Sequence, residues 1–357
     1  CRHQMAKAAP PPPSRAMSPD LYFAGEWRRP YNDLMEQVVG GGHKAIHDEE
    51  TAKSMGFQQG APIHGTVHWS QFTPLLLQAF GQAWFETGTI SVHFKTPVSH
   101  LQPTMAFVEK PKGGLGAKEQ VKIWMEHVDG RVVLEGTASC GLQKGQEVTA
   151  AEERVMTAQK KAVKGALLFN RLPIGLKSSS SPARLDFDKR IGDLFPFTPS
   201  YKLEIITEWH PWFSKEFGGT SPWGKAVIPP EALNQIMYYP LVQYSPSFET
   251  TVPNAVVNPD PKSDLYKIYA GMDETNDSPV GLFGGCEARI VKGPVFMEHD
   301  YLVTREYVAM GETPKAEFNW EKTTLTDAAT GEVVAEMLLQ NMLLKSSWPT
   351  YQTLRAE

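Results

Sequence analysis

Four of the ten histidines of this 357-residue chain fall between residues 40 and 68, in GGGHKAIHDEETAKSMGFQQGAPIHGTVH. They form two H-x-x-x-H pairs, His43 with His47 and His64 with His68. At that spacing two imidazoles can share one helix face and hold a metal ion. A histidine, whose pKa lies near neutrality, can equally carry protons in acid–base catalysis. The context argues against a metal. A zincin helix has glutamate after its first histidine; Lys44 and Gly65 stand there instead. Three glycines ahead of His43 also discourage a helix at that point. The expectation is no metal, with His47 as the acid–base candidate and His43 as a second proton carrier. His64 is expected to cap a helix opening at Gly65. His68, one turn on, is expected to pack in the core with a hydrogen bond. Asp48 and Glu49 read as first-turn charges.

These residues need elements to hold them. DEETAKSMGF (48–57) has helix-forming composition and is broken by Gly60-Ala61-Pro62. From Gly65, GTVHWSQFTPLLLQAFGQAW repeats its apolar residues near helical spacing, so a long buried helix is expected, kinked at Pro74. Strand patterns follow at 89–98, 105–110, 120–128 and 131–142, the last two joined at Asp129-Gly130 as an antiparallel hairpin. Residues 143–200 form a linker region in which 147–166 is a charged helix or a solvated segment. The pattern then returns in the same order. VIPPEALNQIMYYPLV (227–242) stands where PIHGTVHWSQFTPLL (62–76) stood, and 290–303 parallels 92–103. Residues 318–344 parallel 122–142, each with a tryptophan strand (Trp320, Trp124), a turn ending in Gly and a V-V-x-E strand. This reads as a helix with an antiparallel sheet, present twice: an α+β fold with one unit at 21–142 and another at 201–349. Residues 1–20, with four consecutive prolines and a single acid, Asp20, read as a disordered tail. GLFGGC (281–286) and KGGLG (112–116) lack the setting of a phosphate loop and read as turns or bulges.

The bulk properties exclude several classes. A formal charge of −5 offers no concentrated basic face for nucleic acid or an anionic membrane. No apolar run approaches the roughly 20 residues that span a bilayer. Three dispersed cysteines make neither a disulfide framework nor a thiolate metal site, and point to a reducing, cytoplasmic setting.

The run H-D-E-E-T-A-K-S-M-G-F, then A-P-I-H-G, an apolar helix and F-K-T-P-V resembles the MaoC-like, (R)-specific enoyl-CoA hydratases and dehydratases. The later E-W-H-P-W-F-S-K-E-F and S-P-W-G-K-A-V-I-P-P-E resemble the related FAS1-like dehydratase domain with its I-x-P-P signature. The resemblance implies a double hotdog fold, in which each of two long buried helices is wrapped by a curved antiparallel sheet. It implies an acyl thioester of CoA or a carrier protein as substrate, no other cofactor, and a dimer or other homo- or hetero-oligomer of hotdog units. It also implies a hydro-lyase site. In that family the loop D-x-N-P-[LIV]-H supplies an Asp and a His that handle the water, and the helix start supplies a backbone N–H to the thioester oxygen. Here His47 matches the histidine and Gly65 the helix start, with Ile63 and His64 beside it as substrate contacts. Gly42 stands where the aspartate belongs, Lys44 on the Asn and Ala45 on the Pro. In the second half Glu208 takes the acid's position, as a substrate-binding candidate, but Phe213 replaces the histidine. Three readings stay open: a hydratase or dehydratase, a related lyase or isomerase with a diverged site, and a non-catalytic thioester-binding subunit. A thioesterase would need an acid near the helix start that the sequence does not place.

Overall fold

The computed structural model describes residues 18–34, 46–47, 49–161, 174–178, 180–190, 197–243, 280–348 and 351. His43, Gly42 and Asp48 lie outside them, as does most of the expected tail. The end of that tail segment is structured: a 3-10 turn at Pro19–Leu21 leads into β1 (Tyr22–Ala24).

Among the described residues, ten strands form one antiparallel sheet. In the first half these are β1, β2 (Gly88–Phe94), β3 (Thr104–Glu109), β4 (Gln120–His127) and β5 (Val132–Cys140). In the second they are β6 (Ser181–Ala183), β7 (Gly281–Ile290), β8 (Tyr301–Glu312), β9 (Ala316–Asp327) and β10 (Val333–Leu344). Their order is β1-β3-β4-β5-β2-β7-β10-β9-β8-β6. Read outward from the middle, 2-5-4-3-1 mirrors 7-10-9-8-6, so the repeat seen in the sequence is a repeat of topology. The halves join where β2 pairs β7, from Thr89 opposite Arg289 to His93 opposite Gly285. One apolar core runs through both, from Trp69, Phe72 and Leu76 to Ile236, Met337 and Leu339. Each half has its helix: α2 (Thr73–Phe80) in the first, α6 (Leu233–Gln243) in the second. The architecture is a double hotdog. Trp124 and Trp320, matched in the repeat, each lie fully buried outside this core, in two smaller clusters.

One expectation about the elements needs correction. Pro74 does not kink a long α-helix. Residues Gly65–Phe72 form a 3-10 helix, and α2 begins at Thr73 with the proline in its first turn. Proline has no N–H and its ring would strike the carbonyl four residues back, so an α-helix here starts at the proline instead of running through it. GLFGGC opens strand β7 and carries a bulge, as one of its two readings has it: the pairing with β10 passes from Gly285 opposite Gln340 to Phe283 opposite Asn341 and skips Gly284. A Cβ on Gly284 would lie 2.4 Å from Met342 Sδ, so small residues let β7 and β10 close. Of the two readings of 147–166, the charged helix is the one that forms over its described part. Helix α4 (Ala150–Gln159) opens on a capping box between Thr149 and Glu152, and its Ala151, Val155 and Ala158 pack on Ala309 and Trp320. In KGGLG, by contrast, Gly114 and Gly116 do take the positive φ of a turn. Among the described residues no helix is long and apolar enough to cross a membrane.

Candidate active site at the helix entrance

The segment ahead of the 3-10 helix is pinned from both sides. Glu49, in the first turn of α1 (Glu49–Ser54), accepts from the Ala61 N–H at 3.1 Å, so it does more than meet the helix dipole. Ser99 Oγ donates to the Gly60 carbonyl at 2.9 Å, and the Ile63 N–H to the Val98 carbonyl at 2.8 Å. Ile63 is thereby buried in the core. The Pro62 carbonyl, fixed between them, lies 2.6 Å from His47 Nδ1. A carbonyl only accepts, so Nδ1 carries the proton and Nε2 holds the basic lone pair.

His64 takes the N-cap position in extended conformation, but its side chain caps nothing; Nδ1 pairs with Thr66 Oγ1 at 2.9 Å. Its ring lies 6.0 Å from the His47 ring and 5.2 Å from Phe283 on β7, so it stands at the seam of the two halves. His68 is buried, and among the described residues its Nδ1 has no hydrogen-bond partner, so the expected bond is not seen at that atom. In a 3-10 helix four residues span one and a third turns, which puts His64 and His68 about 120° apart instead of on one face. Burial pushes both rings down to about 3, so both are neutral at pH 7. Burial also lowers His47, against the raising effects of the Pro62 bond and the Asp33 charge.

Gly65 opens the helix, where first-turn N–H groups lack intrahelical acceptors. A Cβ here would lie 2.7 Å from the Phe94 ring, so glycine lets the ring close over the entrance without being displaced.

Sequence reasoning missed the carboxylate. Asp33 is buried beside this entrance, and its charge acts on both His64 and His47. Its neighbour Asn32 sets its place: the Asn32 amide donates to the His47 carbonyl at 3.1 Å, and its Oδ1 accepts from the Leu34 N–H at 3.2 Å. Lys202, on α5 (Pro199–Ile205), reaches Asp33 at 2.6 Å and Glu231 at 2.9 Å, with all three side chains no more than 2% exposed. Burial would raise the Asp33 carboxyl, but Lys202, with the two histidines, holds it below the ordinary carboxylate range. Glu231 goes the other way, pushed up by burial more than Lys202 pulls it down. The only sequence signal for any of these was Glu231 ending the quoted I-P-P-E.

Glu208 is not aimed at the histidines' side of the entrance as a free acid. It forms an ion pair with Arg28, whose Nη2 lies 3.2 Å from Oε2, and its N–H donates to Ser70 Oγ at 3.0 Å. His210 accepts from the Trp212 N–H at 3.2 Å and packs with Phe85, Trp212 and Phe213.

No family model matches the chain, and no curated protein matches it. Among solved structures it is similar to a MaoC domain protein dehydratase from Chloroflexus aurantiacus, at 11% identity and TM-score 0.48, over 90% of this chain and 94% of the other. It is similar to a Mycobacterium tuberculosis protein with a double hotdog fold, at 9% identity and TM-score 0.48, over 93% and 98%. It is also similar to the dehydratase domain of PpsC from Mycobacterium tuberculosis, solved with C12:1-CoA, at 8% identity and TM-score 0.38, over 80% and 85%. At such identities the reading of the site rests on this chain's own residues.

Proposed function

We propose that the chain is a lyase that adds water to, or eliminates it from, an acyl thioester of CoA or a carrier protein, with one site per chain, at the entrance to the first helix. The observation that carries this reading is a buried carboxylate, Asp33, beside a histidine whose Nδ1 is committed to a carbonyl and whose Nε2 is therefore a base. The loop position where the resemblance calls for an acid holds Gly42; Asp33 supplies that charge from outside the loop. In the hydration direction His47 Nε2 takes a proton from water, and the hydroxide adds to the β-carbon of the enoyl thioester. The double-bond electrons move to the thioester oxygen as an enolate, and the proton passes to the α-carbon. The Gly65 N–H donates to that oxygen, a preorganised donor where charge develops. His64 and Ile63 border this position. Glu208 ties the second half to Arg28 and takes no proton.

The second helix cannot repeat this. Pro229 and Pro230 stand where His64 and Gly65 stand in the repeat, and proline has no N–H to offer an oxyanion. The test is crotonyl-CoA with the full chain: loss of enoyl absorbance, reduced about 10²- to 10⁴-fold in His47→Ala, the range general-base catalysis contributes. Binding without turnover would instead make this a thioester-binding subunit.

One observation favours a second reading. A thioesterase needs an acid near the helix start, and Asp33 is there. Release of free CoA thiol from crotonyl-CoA or butyryl-CoA, without hydration of the double bond, would select it.

A further inference from the structure

Lys202, Asp33 and Glu231 are the most deeply buried charges near the site, and each comes from a different part of the chain. Asp33 belongs to the first half, Lys202 to the helix between the halves, and Glu231 to the 3-10 turn Pro230–Ala232 that leads into the second helix. An isolated carboxylate buried this deeply would neutralise itself by binding a proton. A buried ion pair is also a poor source of stability, since apolar residues of similar volume often do as well. The cluster is placed where its charge matters: Asp33 follows Asn32, whose amide holds the His47 carbonyl at 3.1 Å, and its charge acts on His47 and His64.

We propose that Lys202 is a positioning residue that keeps the Asp33 carboxylate ionised against His47, and that Glu231 lets the second half of the chain tune this by sharing the same ammonium. The functional meaning rests on the proposed lyase reading; the charge coupling itself does not. The charged and titratable groups facing one another here are Asp33, His47, His64, His68, Lys202 and Glu231. One ammonium serves two carboxylates, at 2.6 and 2.9 Å. Fully ionised, the trio carries one negative charge in excess. Burial and the Asp33 charge raise the Glu231 carboxyl against the pull of Lys202 and the Ser70 hydroxyl, so it is the member that takes a proton more readily. Asp33, at the shorter distance, keeps the stronger hold on the ammonium. Removing Lys202 takes away the main charge that opposes burial, so Asp33 takes a proton and His47 loses the negative charge that raises its pKa.

The experiment is a pH titration of the full chain with ¹³C-labelled histidine, following the His47 ring by NMR, in wild type, Asp33→Asn, Lys202→Met and the double variant Asp33→Asn/Lys202→Met. The expected result is a downward shift of His47 by about one unit in Asp33→Asn, the size an opposite charge close by produces. Lys202→Met should give the same shift, and the double variant no more than either single change. Lys202→Met can leave two carboxylates unpaired and fail to fold; Lys202→Met/Glu231→Gln removes one of them and gives the same readout. A His47 titration unchanged by either lysine variant overturns the proposal. With crotonyl-CoA, Lys202→Met should lower kcat at least tenfold and leave KM within about twofold, as expected when a transition-state interaction alone is lost. A wild-type chain that turns over no crotonyl-CoA, yet shows the shared shift of His47, would remove the lyase reading and leave the coupling standing.

Discussion

His47 reaches the helix entrance with Nδ1 held by the Pro62 carbonyl, which leaves one nitrogen for chemistry. A general base works only while neutral. Because burial lowers His47 below its ordinary 6.5, the acid limb of kcat/KM against pH should lie below pH 6.5. Asp33 raises His47, so Asp33→Asn should move that limb further down while lowering the plateau; a limb that moves up would contradict the assigned field. Gly65→Ala gives a separate test. Its Cβ meets the Phe94 ring, whose far end can turn aside, so the chain should still fold. The displaced entrance should nonetheless cost about 10²-fold in kcat, since such misplacements are felt in the transition state. The helix entrance was legible in the sequence because H-G-T-V-H and the apolar run lie together. Asp33 was not. Its meaning depends on Lys202, 169 residues away, and no local spacing records a partner at that distance.

At the scale of elements, strands, turns and repeat could be read because alternation, the Asp129-Gly130 turn and the two tryptophan strands are local patterns. The 3-10 stretch and strand β7 could not. Their conformations depend on what packs against them: Phe94 over Gly65, and Met342 and Gln340 over Gly284. Gly136 shows how strict such contacts are. It sits on β5 opposite Val92, and a Cβ there would lie 1.8 Å from the Ser91 carbonyl oxygen. That neighbour is backbone and cannot turn aside, so Gly136→Ala should cost more than about 3 kcal/mol in urea unfolding, among the larger effects single substitutions produce. Helix α4 offers a prediction with a sign. The Thr149 hydroxyl at its start donates to Glu287 on β7, and burial pushes the Glu287 carboxyl up to about 7. A carboxyl raised in the folded state stabilises the protonated form. Stability should be highest below the ordinary value near 4.5, fall as pH rises toward 7, and then level off. Glu287→Gln should remove that slope, measured as urea midpoints between pH 4.5 and 8; an unchanged slope would mean that another group titrates.

The whole molecule is divided by its sequence and undivided by its core. The pattern suggested two units joined by a linker, but one sheet runs through β2 and β7, and one apolar cluster draws on both helices. The site crosses the same boundary, since Asp33 of the first half is held by Lys202 and approached by Glu231 of the second. Neither half buries its own seam strand without the other, so the halves should not unfold separately. Val92 tests this. It is 1% exposed, lies on β2, and has Gly136 on one side and Cys286 on the other. Val92→Ala leaves a cavity on the seam that should cost about 2 kcal/mol. If the chain is one cooperative unit, tryptophan fluorescence and far-UV circular dichroism should give superimposable urea transitions in both proteins, with the midpoint lowered and the slope unchanged. Catalytic turnover should vanish within the same transition, because the charge beside His47 depends on contacts made by the second half. A variant whose first-half signal is lost while the second half persists would show that the seam joins two independent folds, and that the single site is not what binds them into one.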